Sequence, residues 1–247
     1  MTSPAVEELI ATGRVDVLVP LGSLEQHGRH LPLATDQIIA EAMASAVADR
    51  LAFTLLVAPS FPIGVSDYHL GFAGTATVPA DVIRDGLLSV ISSFLEGGFR
   101  HVYLLSGHAG NLPAMESAWQ SLPEIMKPRV AVHGDWPAQR RAIQQWAWRN
   151  LSLEPDLVGS HSGHFETSVM LHLAPELVNM DKAEAGFVGD SSTAADTMVA
   201  QGMRAVSSTG VIGDPRSATA DAGEGYFNLV VTSVVDLITS HRARGLS

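Results

Sequence analysis

Two carboxylates and an imidazole crowd into one early stretch of the chain. Gly22-Ser23-Leu24-Glu25-Gln26-His27-Gly28 is followed by Leu31-Pro32-Leu33-Ala34-Thr35-Asp36. Gly22, Gly28 and Pro32 let such a loop fold back, so Glu25, His27 and Asp36 can converge. Asp36 also reads as the N-cap of the helix it precedes, and Glu25 with His27 as a solvated loop. A second cluster, Ser106-Gly107-His108-Ala109-Gly110-Asn111, sets one His between glycines at a helix start, where backbone N–H groups favour anions. Its plainer reading is a tight turn with an incidental His. The third, His161-Ser162-Gly163-His164-Phe165-Glu166-Thr167-Ser168, holds two imidazoles and a carboxylate; a polar helix start is the alternative there. With no cysteine and 10 His, any metal must be bound through His, Asp and Glu. Such a set suits Zn, Mn or Fe(II), and a bridging Asp suits a two-metal hydrolytic site. The chain has no His-Glu-x-x-His, phosphate loop or dinucleotide fingerprint. His161 replaces the Ser that a nucleophile elbow would need.

These clusters need a scaffold, and the chain alternates strand-like and helix-like runs. Strands are expected at Val15 to Leu21, Leu55 to Ala58, His101 to Leu105 and Val130 to Val132. Helices are expected at Asp36 to Leu51, Ala80 to Leu95 (closed by Gly97 and Gly98), Asn111 to Ser121, Gln139 to Asn150, Glu166 to Leu173 and Asp221 to Ser240. The alternation predicts an α/β fold: a single-domain three-layer sandwich with a mostly parallel central sheet, spanning 1–247. Ligands sit outside the carboxyl ends of such strands, where the polar clusters fall. Asp181 to Met203 is small, polar and weakly patterned, and reads as a long excursion or lid.

Composition narrows the partners. The 247 residues are 46% hydrophobic and 17% charged, which excludes a disordered chain. A net charge of −11 without a basic cluster argues against nucleic acid or an anionic membrane surface. No apolar run is long enough to span a bilayer, and no basic stretch precedes an apolar one at the N-terminus, so a soluble, cytoplasmic protein is expected.

The first cluster, with His30-Leu31-Pro32-Leu33-Ala34-Thr35-Asp36, resembles the signature of the creatininase (creatinine amidohydrolase) family. The stretches His69-Leu70-Gly71-Phe72-Ala73-Gly74-Thr75, Ser106 to Asn111, His161 to Ser168 and Thr209 to Pro215 agree in order and spacing. The resemblance spans about Val15 to Leu237. It implies a compact α/β sandwich, homo-oligomers such as hexamers, and two divalent metal ions. Glu25 and His108 match ligands of one metal, His27 a ligand of the other, and Asp36 the bridge. Creatininase itself has a Glu where this chain has Gly110, and Glu166 is the candidate replacement, as ligand and catalytic carboxylate. His161 matches the His near the scissile bond and is assigned proton transfer. Trp136 is a candidate counterpart of the Trp that closes over creatininase's ring substrate, and His164 and His69 are candidate substrate contacts. Trp146 and Trp148 lie on a helical pattern and read as packing residues.

The implied function is metal-dependent hydrolysis of a C–N amide bond, first of a small cyclic amide. The family also contains formamide hydrolases and the peptidase that trims the C-terminus of the mycofactocin precursor peptide. His161-Ser162-Gly163-His164 resembles the last group more closely. A non-catalytic metal-binding oligomer, and a metal-free serine hydrolase using Ser162 or Ser168 with His161, are the readings from other classes.

Overall fold

The computed structural model describes residues 1–244. Four strands form one fully parallel sheet in the order β2-β1-β3-β4: β1 Asp16–Leu21, β2 Leu55–Val57, β3 Val102–Ser106 and β4 Val130–His133. Parallel strands need long crossovers, and helices supply them. These are α1 Ser3–Ala11, α2 Thr35–Arg50, α3 Ala80–Glu96, α4 Leu112–Ser121, α5 Trp136–Leu151, α6 Pro155–Val158, α7 His164–Leu173, α8 Ser191–Gln201, α9 Met203–Val206 and α10 Ala220–Arg244.

Alternation along the central strands builds two cores. Leu18, Tyr103 and Leu105 point to one face, against Ile39, Met43 and Val47 of α2, Met170 of α7, Ile143 of α5, and Tyr226 and Val230 of α10. Val17, Val19, Val102 and Leu104 point to the other, against Leu87 and Ile91 of α3, Met115 of α4 and the apolar stripe of α1. Every residue of β1 is buried, as expected of a strand covered on both faces. The expected three-layer α/β sandwich is therefore the observed one.

The differences are local. Helix α1 was not expected; it contributes Val6, Leu9 and Ile10 to the second core. The stretch Asp181 to Met203 is not wholly irregular: it contains α8, whose small residues gave no clear period. Asp36 is not a cap. Ala34 holds that position, and Asp36 lies inside the first turn of α2 with its side chain making no cap bond. Among the described residues, no helix is long and apolar enough to cross a membrane.

Candidate metal and hydrolytic site

The loops leaving the carboxyl ends of β1 and β3 bring the first two clusters face to face, and the segment from α6 into α7 closes over them. Glu25, His27, Asp36, His69, His108, His161 and Glu166 are all buried, the most exposed being His161 at 8%. Glu25 Oε1 faces three imidazoles: His69 Nε2 at 3.4 Å, His108 Nδ1 at 3.4 Å and His161 Nδ1 at 3.5 Å. Asp36 Oδ1 lies 3.2 Å from His27 Nε2, and its Oδ2 lies 3.3 Å from His108 Nδ1. Glu166 Oε2 approaches His27 Nε2 at 3.8 Å and accepts the Ser162 N–H. Among the described residues, every ion-pair partner of these three carboxylates is an imidazole.

Two of the imidazoles are held from behind. His27 Nδ1–H donates to Glu25 O at 3.1 Å, and His108 Nε2–H donates to Val65 O at 2.9 Å. In the neutral ring, the form that binds a metal, the nitrogen turned toward the carboxylates is then the one with the lone pair, the arrangement that orients metal-binding histidines. Glu25 Oε1, His27 Nε2 and Asp36 Oδ2 are buried without a well-formed hydrogen bond. Buried polar atoms seldom go unsatisfied. Ligand atoms of Glu25, His27 and Asp36 lie within 4.8 Å of one another; so do those of His27, His161 and Glu166, and of Glu25, His69 and His161. Hard oxygens and borderline imidazole nitrogens in a sulfur-free pocket fit Zn, Mn or Fe(II).

The electrostatics show a cluster short of positive charge. Burial pushes the Glu25 carboxyl up, and Asp36 adds to this against the pull of His108. Burial likewise lifts Glu166 to about 7, helped by Asp36 and Glu25. Burial opposes charging His27 and His108, yet the neighbouring carboxylates, Asp36 foremost for His27 and Glu25 for His108, raise them to about 10 and about 9. Asp36 is held far below the usual carboxylate range, because His27 and His108 outweigh its burial. Burial and the charges on His27 and His108 hold His69 down to about 3; burial, His27 and His69 hold His161 well down also. The site thus separates two imidazoles that take up charge from two that stay neutral.

The remaining candidates are placed differently. Trp136 opens α5 and lines a narrow cavity of about 30 Å³ with Met43, His108, Phe165 and Glu166. His164 turns away from the carboxylates: its Nδ1 meets Tyr226 Oη at 3.1 Å, and its ring packs edge-on against the Tyr226 ring. Trp146 packs on Tyr226, whereas Trp148 is 53% exposed and is not a core residue. Gly110 has no room for the Glu of creatininase. A Cβ there would come within 2.4 Å of both Val65 O and Tyr68 Oη, so the carboxylate is excluded by the groups that anchor His108. Gln26, Ser23, Ser66 and Tyr68 complete the surroundings. Ser23 Oγ donates to Glu25 Oε2 at 3.2 Å, and Ser66 Oγ and Tyr68 Oη each lie 3.3 Å from His108 Nε2. Of these, Ser23 and Gln26 had one signal, their place inside the Glu25 loop.

The profile of a family described as Creatininase: Creatinine amidohydrolase matches residues 1–238. A mycofactocin precursor peptide peptidase from Mycobacterium ulcerans is 36% identical over 229 residues, 90% of this chain and 84% of its own length. A creatinine amidohydrolase from Pseudomonas putida is 28% identical over 194 residues, 74% of this chain and 73% of its own. Among solved structures, one titled "Creatininase Mn" superposes with a TM-score of 0.78 at 24% identity, covering 97% of this chain and 96% of that one. A mutant creatininase of Zn-Zn type gives 0.79 at 24% identity, over 97% and 95%.

Proposed function

The chain belongs to the creatininase family of amide hydrolases, and from that premise we propose that it is a metal-dependent peptidase acting on a mycofactocin-type precursor peptide. The observation that carries the metal-dependent hydrolysis is the buried group Glu25, His27, Asp36: Glu25 Oε1, His27 Nε2 and Asp36 Oδ2 face one another without a well-formed hydrogen bond, and among the described residues only imidazoles, no Lys or Arg, pair with these carboxylates. The peptide substrate rests on the 36% relative. A small cyclic amide, the first expectation from sequence, is the second reading, favoured by the Pseudomonas putida relative. The space denied to a Glu at Gly110 separates this chain from creatininase itself.

Glu25 and His108 would hold one ion, His27 and Glu166 the other, with Asp36 shared. Two ions bound there supply Lewis-acid activation of a water and of the amide carbonyl. The chain's own residues manage protons and orientation. His161 is neutral and buried beside Glu25. It takes a proton from the attacking water as the new C–O bond forms. It returns that proton to the leaving nitrogen as the C–N bond breaks, giving a carboxylic acid and an amine. Trp136 and Phe165 wall the cavity beside His108 and Glu166 and limit the substrate group that reaches them. The homo-oligomer implied by the resemblance belongs to the same reading.

The test is metal analysis of the purified protein, followed by hydrolysis assays. The panel should hold precursor-type peptides, creatinine, lactams and formamides, each assayed before and after chelation. Peptide cleavage that chelation abolishes and Zn or Mn restores is the expected result. Chelator-resistant turnover would overturn the metal-dependent reading, and turnover confined to cyclic amides would replace the peptide with the second substrate class.

A further inference from the structure

Gln26 lies between two of the proposed ligands but points away from them, into a closed network. Its Oε1 accepts the Gly28 N–H at 3.0 Å, and its Nε2 donates to Gly210 O at 3.0 Å. These two backbone groups have fixed polarity, so they settle which end of the amide is oxygen and which is nitrogen. Gly210 makes room for this: a Cβ there would stand 2.0 Å from Gln26 Oε1.

The amide nitrogen has two hydrogens and three neighbours. Besides Gly210 O, it lies 2.9 Å from His69 Nδ1 and 3.0 Å from His161 Nε2. Gly210 O can only accept, so it takes one hydrogen. His161 Nε2 also lies 2.8 Å from the backbone Gln26 O, which can only accept. A single arrangement satisfies every group around the Gln26 amide: His161 Nε2–H donates to Gln26 O, and the second amide hydrogen goes to His69 Nδ1. Both imidazoles then carry their proton on Nε2, but they face Glu25 Oε1 with opposite ends. His69 presents Nε2–H at 3.4 Å, and His161 presents the lone pair of Nδ1 at 3.5 Å. Their rings are 4.5 Å apart.

We propose that Gln26 is a positioning residue that fixes the tautomer of His69, with Nε2–H turned toward Glu25, and so makes His161, of this pair, the one that presents a bare nitrogen. This deepens the reading under Proposed function, in which His161 must begin as a proton acceptor. The tautomers can be read without any substrate.

The experiment is long-range ¹H–¹⁵N NMR on the ¹⁵N-histidine-labelled, zinc-loaded full chain, with the His69 signals assigned by their loss in His69→Gln. In the unsubstituted protein His69 is expected as the Nε2–H tautomer. In Gln26→Glu, a carboxylate that can only accept faces His69 Nδ1. The His69 Nδ1 resonance should then move from the unprotonated to the protonated position, while His161, bonded to backbone, keeps its pattern. Gln26→Met, similar in size but unable to donate or accept, is the second variant if Gln26→Glu does not fold, and in it His69 should lose its single tautomer. An Nδ1–H tautomer of His69 in the unsubstituted protein would overturn the proposal, as would a folded Gln26 variant with unchanged His69 resonances. Absence of amide hydrolysis would count against the proposed function and leave this measurement intact.

Discussion

Asp16 and Asp36 are both buried aspartates, at opposite ends of the same parallel sheet, and their surroundings differ in one respect. Asp16 opens β1 at the amino end. One of its oxygens takes the His101 Nδ1–H at 3.0 Å, and the other takes the Arg242 guanidinium, brought in by the last turn of α10. Arg242 also stacks over the Phe53 ring. That cluster is complete, with a permanent cation and both oxygens satisfied. Asp36, at the carboxyl end, has only imidazoles, and beside it stand two more buried carboxylates, Glu25 and Glu166. Both regions use buried Asp and His. The chain itself satisfies both oxygens of Asp16 at the amino end, whereas at the carboxyl end Glu25 Oε1 and Asp36 Oδ2 lack a well-formed hydrogen bond. A buried charge without a partner is costly, so an unfinished cluster of this kind marks where an added ion is expected.

Removing Asp36 breaks the contrast most severely. Asp36→Ala should lose both ions, because the ligand they share is gone, and turnover should fall by more than about 10⁴-fold, beyond what a lost proton shuttle costs. Metal analysis of the folded variant checks this, and full occupancy would return Asp36 to a purely structural role. His161→Ala separates ligand from proton carrier within the same cluster. It should keep its metal and slow by about 10²–10⁴-fold, whereas loss of metal would make His161 a ligand.

At the finished end the effect should fall on stability alone. Asp16→Asn leaves the guanidinium of Arg242, whose side chain is only 13% exposed, without its counter-charge. A cost of about 3 kcal/mol is expected, at the lower end for a broken buried pair. Denaturant unfolding measures it, and metal content should not change. Metal loss in a folded Asp16→Asn would mean that the two ends are coupled.

The two clusters were unequally legible in the sequence. Glu25, His27 and His108 stand in short Gly-bounded loops after β1 and β3, His161 in the Gly-bounded stretch before α7, and Asp36 and Glu166 in the first turns of α2 and α7; each lies in a short polar motif, and α/β topology brings such motifs together. Asp16, His101 and Arg242 are 85 and 226 residues apart from Asp16 outward, with no local pattern. The pairing of β1 with β3 brings His101 to Asp16, and the last turn of α10 brings Arg242. His69 was visible through the family motif, and its facing with Glu25 depends on the fold of the 3₁₀ turn Asp67–His69. Asp36 looked like a cap because caps and first-turn carboxylates share one position in sequence. The backbone separates them, since Asp36 is already helical and its oxygens face the imidazoles. Gln26 could not be read at all as a histidine-setting group. Its partners come from residues 69, 161 and 210, and only three dimensions supply them.

The gentlest probe of the contrast is pH. In the metal-free chain, His27 and His108 titrate near 10 and near 9, against 6.5 for an unperturbed His. Glu166 titrates near 7 rather than 4.5. All three folded values lie above the unfolded ones, so between pH 7 and pH 9 the folded chain holds more protons than the unfolded chain. Stability must then fall as pH rises through this window. The imidazoles held low, His30 near 4 and His69 near 3, act in the opposite direction, but only below about pH 6.5. Bound metal replaces the protons on the raised groups and removes the effect. Thermal melts at pH 7 and pH 9 should therefore diverge: the chelated protein loses melting temperature at the higher pH, and the metal-loaded protein changes little. Equal pH dependence in both forms would place the ions away from His27 and His108, and the carboxyl-end cluster would then be as self-contained as the one around Asp16.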